Sequence, residues 1–260
     1  MPRERTFRTD GVIIKRTDFG EADRLLTLYT REKGKIRAIA KGARKPQSRK
    51  TGHVELFMCS RFLLATGRDL DIITQAEMIN AYPALRENLV RTTYAAYCIE
   101  ILDRFTVEEE PNISIYELLT AVLEWLSETA DLRLAARYYE LRLLTLAGFR
   151  PQLFQCVGCG EAIQEQDQYF SAELGGILCP NCAQKDGKAR PITSVAVKVL
   201  RYLQTRNWQT VRVLNLKRPL HRELESLLHY YITYILERNL KSVEFLNRLR
   251  REASLFLDGE

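Results

Sequence analysis

The sequence predicts an α+β multidomain chain: an N-terminal five-stranded β-barrel, then an all-helical domain interrupted by a four-cysteine module. Three observations carry this. Residues 1–80 fall into five short runs rich in Ile, Val, Leu, Thr and aromatics, separated by turn residues. From about Tyr82 the apolar residues recur at helical spacing. Between the helical stretches, Cys156, Cys159, Cys179 and Cys182 stand as two close pairs. The expected domains are 1–80 for the barrel, 81–152 with 191–260 for the helices, and 153–190 for the cysteine module. A chain of 260 residues suits this division.

The strands are expected at Thr6–Arg16, Asp23–Arg31, Lys35–Lys41, Val54–Leu64 and Leu70–Glu77. Phe19-Gly20, Lys33-Gly34, the loop GARKPQSRKTG and Thr66-Gly-Arg-Asp69 separate them. The OB-fold is the common five-stranded barrel that binds nucleic acid. An SH3-like barrel would give a similar pattern.

Charge is concentrated in this part. Residues 31–50 hold nine Lys or Arg and one acid, a net of +8, while the whole chain nets +6. Residues 1–80 net +7 and residues 81–260 net −1. Such a patch reads as a docking surface for a polyanion, nucleic acid above all. Alternation in the third strand places Ile36, Ala38 and Ala40 on one face and Lys35, Arg37 and Lys41 on the other. The next loop, expected to be mobile, adds Arg44, Lys45, Arg49 and Lys50. These seven cations are the candidate DNA-binding residues. Phe7, Phe19, Tyr29 and Phe57 are candidates for stacking on bases, although strand aromatics usually pack inward.

Six helices follow in the pattern. Arg91–Val107 carries Tyr94, Tyr97, Cys98, Ile101 and Leu102 at helical spacing. Ser114 to Glu117 resembles a capping box opening a helix to about Ser127. Asp131 caps a helix over Leu132–Ala147, stopped by Gly148 and Pro151. After the cysteines, Thr193 or Ser194 caps a helix to Thr205. A longer one from Leu220 carries Leu224, Leu227, Leu228, Tyr231, Ile232, Ile235 and Leu236 on one stripe. A short helix over Ser242–Arg251 is expected to pack back.

The cysteines form C-x2-C-x19-C-x2-C, a spacing that reads as a zinc site. Each pair turns two thiolates onto one metal, and four thiolates fill the shell, so the one zinc is structural. Gly158 and Gly160 let the first turn bend. Tyr169–Ser171 and Gly175–Leu178 look like a hairpin feeding the second pair. Cys59 and Cys98 sit among apolar neighbours and are expected to be buried thiols.

No nucleotide-binding, zinc-protease or serine-hydrolase motif occurs. His53, His221 and His229 lack companion ligands. Asp69 and Asp71 could hold a metal for nuclease chemistry, but an Asp beside Gly67 in a turn explains them more simply. The chain therefore reads as a non-enzymatic binder without a small-molecule substrate. The N-terminus is polar, and the longest uncharged apolar-rich run, Ser226–Leu236, is too short to span a membrane. A cytoplasmic protein with no membrane contact is expected.

Gly11-Val-Ile-Ile-Lys15, Gly20-Glu-Ala-Asp23, Lys41-Gly-Ala-Arg-Lys45, Gly67-Arg-Asp-Leu-Asp71, Gln75-Ala-Glu77 and Glu140-Leu-Arg-Leu-Leu144 occur in this order. With Gly148-Phe149, Pro151 and the cysteine module holding Gly175-Gly176, they resemble the RecO family of bacterial recombination mediators across nearly the whole chain. The resemblance implies binding to single- and double-stranded DNA and annealing of complementary strands. It implies work with RecR, contact with the acidic C-terminal tail of single-strand binding protein (SSB), and indirect loading of RecA. It also implies association with the nucleoid. Arg137 and Arg142 beside Tyr138, Tyr139 and Leu141 are a candidate pocket for the SSB tail. The alternative reading is a zinc-ribbon adaptor for protein partners with incidental basic charge.

Overall fold

The computed structural model describes residues 6–48 and 51–237, together with Leu246, Arg248 and Leu249. The chain divides into two compact units, residues 1–128 and 129–260.

The first unit opens with five strands: β1 (Thr6–Phe19), β2 (Asp23–Thr30), β3 (Gly34–Ala40), β4 (Cys59–Ala65) and β5 (Asp71–Asn80). They close into a barrel in the order β1-β2-β3-β5-β4, with β3 and β5 parallel and the other pairs antiparallel. This is the expected five-stranded OB-type barrel. Its interior is filled by Ile13, Leu26, Leu28, Ile36, Ala38, Phe62, Leu64 and Ile73. Inward positions at one end carry charge instead. There Arg16 and Arg24 both reach Glu55, and Arg24 also pairs with Asp18 at 3.6 Å. Mutual pairing lets these charges close the end of an apolar interior.

The fourth strand starts later than expected. Residues 51–53 form a 3₁₀ turn, and Phe57 takes a left-handed backbone with φ 70°. The bend is fixed by Phe57 N–H donating to Ile13 O and Ile13 N–H donating to Met58 O, both 3.0 Å. The register of β1 slips at this point, between Ile13 and Lys15.

Three helices complete the unit: α1 (Pro83–Glu87), α2 (Leu89–Phe105) and α3 (Ile113–Glu128). Asn88 caps α2, its side chain accepting from Arg91 N–H. At α3 the cap is Asn112, which accepts from Ile115 N–H at 3.1 Å. Ser114 lies inside the helix, so the expected capping box does not form. Asn112, two residues earlier in the chain, supplies the capping oxygen instead, and Asn is among the best N-caps.

The second unit holds α4 (Leu132–Leu146), then β6 (Gln168–Ser171), β7 (Gly176–Leu178) and the short α5 (Pro180–Ala183). β8 (Arg190–Ile192), α6 (Ser194–Thr205), α7 (Trp208–Val211) and α8 (Arg218–Leu236) follow. Asp131 caps α4, accepting from Leu134 N–H at 2.9 Å, and Thr193 caps α6. Gly148 ends α4 with φ 86°. Leu224, Leu227, Leu228, Tyr231 and Ile232 form the buried stripe of α8, which packs on α4 and α6. The expected 242–251 helix lies outside the described residues, except that Leu246, Arg248 and Leu249 are helical. No helix among the described residues is long and apolar enough to cross a membrane.

Candidate nucleic-acid interface and metal centre

Strand register decides which side of the barrel each cation faces. Tyr29 sits opposite both Val12 and Lys35, and Val12 opposite Cys59. Opposed residues of neighbouring strands share a face. These four therefore form one row on the outside of the barrel. All are buried, between 0% and 8% exposed, because helices of the same unit cover the row. Cys59 Sγ lies 3.6 Å from Tyr116 Oη of α3. Burial raises the Tyr29 hydroxyl to about 12.

Lys35 is held in this row. Its ammonium donates to Thr106 O at 2.6 Å, Asp103 O at 2.8 Å and Asp103 Oδ1 at 3.2 Å. It therefore does not join the exposed cationic face expected from alternation. The period of two was right, but part of that face is covered by the end of α2. Burial would raise the Asp103 carboxyl. Hydrogen bonds and charge from Lys15, 2.6 Å away, and Lys35 outweigh it and hold the carboxyl below its usual range.

The next outward row is open. Arg37 sits opposite Thr27, and Thr27 opposite Lys15. Arg37, Lys41, Arg44 and Lys45 are all exposed. The segment after β3 is not a loose loop over residues 41–48. Gly42 N–H donates to Asp23 Oδ1 at 2.7 Å, Arg44 N–H to Ala22 O at 2.9 Å, and Ala43 is fully buried. Turns thus hold Arg44 and Lys45 beside the β1–β2 hairpin. Arg44 also lies 3.5 Å from Asp18, which offsets part of its charge. Arg49 and Lys50 lie outside the described residues.

Of the four stacking candidates, Tyr29 and Phe57 are buried and cannot meet a base. Phe7 packs on the barrel core, with Lys33 Nζ 5.4 Å from its ring centre. Phe19, 55% exposed at the tip of the β1–β2 hairpin, is the aromatic that remains accessible. Arg44 reaches that tip by donating to Gly20 O at 3.3 Å.

The four cysteine sulfurs all lie within 4.8 Å of one another. A tetrahedral ion with bonds of about 2.3 Å sets its sulfurs about 3.8 Å apart, so small side-chain shifts close the shell. Sheet β7-β6-β8 and α5 supply the frame, with β6 and β7 paired as the expected hairpin. Gly158 is required here: a Cβ would stand 2.9 Å from Cys182 Cβ and 3.0 Å from its Sγ. Cys156 Sγ accepts N–H bonds from Cys179 at 3.3 Å and Gly158 at 3.4 Å. Burial alone would raise this thiol, but amides of Cys179, Cys159 and Gly158 bring it down to about 6. Cys182 is pushed up to about 12, first by its bond with Cys179 and then by burial. Four cysteine sulfurs around one point, with backbone amides that favour the thiolate at Cys156, are a donor set that fits a soft or borderline metal ion. Cys59 and Cys98 are buried cysteines outside any disulfide.

The remaining candidates resolve as structure. Asp71 Oδ1 accepts from Gly67 N–H at 3.3 Å, and a Cβ on Gly67 would stand 1.8 Å from Leu70 O. The two aspartates thus belong to a tight turn. Four of the five residues of the expected SSB-tail pocket are not on the surface: Arg137, Tyr138, Tyr139 and Leu141 are buried, Arg142 is half-buried, and Arg137 pairs with Glu140 at 2.6 Å. Pattern alone missed that α4 is buried almost all round. His221 is also buried, its Nε2 3.2 Å from Asp131 Oδ2.

Residues 3–82 match the family model "Recombination protein O N terminal" and residues 86–244 match "Recombination protein O C terminal". A protein of Roseiflexus sp. (strain RS-1) is 42% identical over 96% of this chain and 88% of its own length. One of Desulforamulus reducens is 39% identical over 94% of both. A third, of Dehalococcoides mccartyi, is 36% identical over 96% of this chain and 99% of its own. All three bear the name DNA repair protein RecO. The chain belongs to the recombination protein O (RecO) family.

Proposed function

We propose that this chain is a DNA repair and recombination mediator that works by binding and not by bond chemistry. It binds single- and double-stranded DNA, anneals complementary strands and, with RecR, helps load RecA onto strands coated by SSB. It contacts the acidic SSB tail and acts in the cytoplasm at the nucleoid. Family membership and the name shared by its relatives support the repair role. The observation that carries the binding role is the exposed cationic strip Arg37, Lys41, Arg44 and Lys45 beside the accessible ring of Phe19.

These cations, with Arg49 and Lys50, grip phosphates, and such contacts confer affinity without sequence preference. Phe19 stacks on a base at the strip's edge. Lys35 is left out of the grip. Two strands that share one cationic surface repel each other less, which favours annealing. For about five phosphates, log affinity for single strands falls against log salt with a slope near −3.5. The cysteine cluster binds one zinc ion as a structural centre, since four thiolates leave no place for a water.

Annealing of SSB-coated complementary strands tests this reading. Arg37→Glu with Lys41→Glu should lose most of the annealing rate. If that double variant anneals as fast as the parent, the barrel strip is not the interface. Binding that also withstands salt would favour an adaptor for protein partners.

A further inference from the structure

A second basic surface lies in the other unit, hidden by the sum over residues 81–260. Residues 187–222 contain nine Lys or Arg and no Asp or Glu. The rest of that half therefore nets −10, from 13 basic and 23 acidic residues. Eight of the nine cations are exposed and Arg201 is half-buried. Among the described residues Lys198 alone of the nine has an ion-pair partner, Glu165 at 3.0 Å.

Several of these cations meet at the C-terminal end of α6, joined by two from α4 and the segment after it. Arg142 Nη1 donates to Gln204 O at 3.4 Å and Arg150 Nη2 to Gln204 Oε1 at 3.3 Å. Arg201 Nε donates to Leu153 O at 2.8 Å, while its Nη2 is buried without an acceptor. Arg206 follows on the same helix end, its carbonyl accepting from Tyr138 Oη at 3.1 Å. Arg212 closes α7, where Trp208 lies 5.5 Å from the Tyr138 ring. Arg142, Arg201 and Arg206 lie over Tyr138, Phe154 and Tyr202 at 5.5, 5.0 and 5.9 Å.

Cations at a helix C-terminus stabilise its dipole. One or two suffice for that. Here four arginines are anchored around the end of α6 and Arg212 follows at the end of α7; their partners are carbonyls, the side-chain amides of Gln204 and Gln209 and ring faces, with no carboxylate within ion-pair range among the described residues. Carbonyls and rings hold a guanidinium in place without cancelling its charge. The fork geometry leaves donors for phosphate oxygens. Phe154, 43% exposed, adds an accessible ring beside Arg201.

We propose that Arg142, Arg150, Arg201, Arg206 and Arg212 form a second phosphate-binding surface that holds a nucleic-acid strand independently of the barrel. This rests on the DNA-binding role proposed above and extends it: each unit carries its own strand site, so one chain can present two strands.

The test uses the full chain and a fluorescein-labelled oligo-dT of about twenty nucleotides, longer than a single barrel's usual footprint. The helical variant is Arg150→Glu, Arg206→Glu and Arg212→Glu, three exposed positions. The barrel variant is Arg37→Glu with Lys41→Glu. Anisotropy is followed from 50 to 200 mM salt. Losing three phosphate contacts should lower the slope by about 2, so the parent loses about 18-fold more affinity than the variant over that range. The triple Arg→Lys version, which keeps the charges, should restore the slope. Energy transfer between two labelled strands held by one chain should vanish in either Glu variant. The proposal is overturned if the helical variant keeps the parent slope while the barrel variant loses it, an outcome that leaves the barrel interface intact. It is equally overturned if the helical variant keeps the slope and loses only binding to an oligo-glutamate peptide. If both variants keep the slope, the DNA-binding role itself falls.

Discussion

Replacing Lys35 by Ala separates a fold-holding cation from a phosphate-gripping one. The Lys35 ammonium is enclosed by Asp103 Oδ1, Asp103 O and Thr106 O within 3.2 Å. Both side chains are sequestered, 11% exposed for Lys35 and 15% for Asp103. Removing one member of such a pair costs about 3–5 kcal/mol when the other charge is stranded. Asp103 keeps Lys15 as a partner at 2.6 Å, which places the loss near about 3 kcal/mol. With a urea slope of about 2 kcal/mol/M, the unfolding midpoint of the first unit should fall by about 1.5 M. The assay is urea unfolding followed by tyrosine fluorescence, paired with salt-titrated DNA binding at low urea. The expected result is a lower midpoint and an unchanged salt slope. A midpoint unchanged within about 0.3 M, with a slope lower by about 0.7, would refute the assignment and return Lys35 to the phosphate surface.

Other outcomes follow from the same geometry. Because the Asp103 carboxyl titrates below its unfolded value, its stabilisation is present above about pH 3.9 and is lost as pH falls through the lower folded value. The stability difference between the parent and Lys35→Ala should therefore persist down to about pH 3.9 and shrink as pH falls further, through the lower folded value of Asp103. Gly34 has φ 66°, and a Cβ there would stand 2.2 Å from Glu110 O, so Gly34→Ala should cost at least about 2 kcal/mol in thermal or urea unfolding. Purified protein should hold one zinc per chain by elemental analysis, and Cys159→Ser should lose it with increased proteolysis between 153 and 190. Metal content at parent level in Cys159→Ser would remove the four-cysteine centre. Gly158→Ala should weaken metal retention against a chelator without changing DNA binding by the barrel.

The elements most legible in the sequence were those fixed by local chemistry. Asp131 and Thr193 announce their helices because a cap acts within one turn. The cysteine spacing announces its cluster because the ligands of a thiolate centre come from tight turns. The misjudged positions depend on partners remote in sequence. Alternation fixed the face of Lys35 but could not tell that residues 103–106 would cover it. The stripe at Val54–Phe57 is as apolar as a strand, yet its backbone is bent to meet Ile13. Tyr139 and Leu141 resemble a pocket until α6 and α8 pack on their helix. Charge sums by half-chain were too coarse, since 36 residues without an acid were averaged against an acidic remainder.

The buried outer row Cys59, Val12, Tyr29 and Lys35 bears on how this protein can be taken apart. An OB-type barrel is often treated as an exchangeable cassette. In this one, cutting the chain at residue 80 would strip the roof from a tyrosine, a valine, a thiol and an ammonium at once. The smallest transplantable piece is therefore the 128-residue unit with its three helices. Chimaeras within the family should be spliced after Glu128 and not between strand and helix. A change in α2 or α3 will then be felt on the barrel as a change in its own wall.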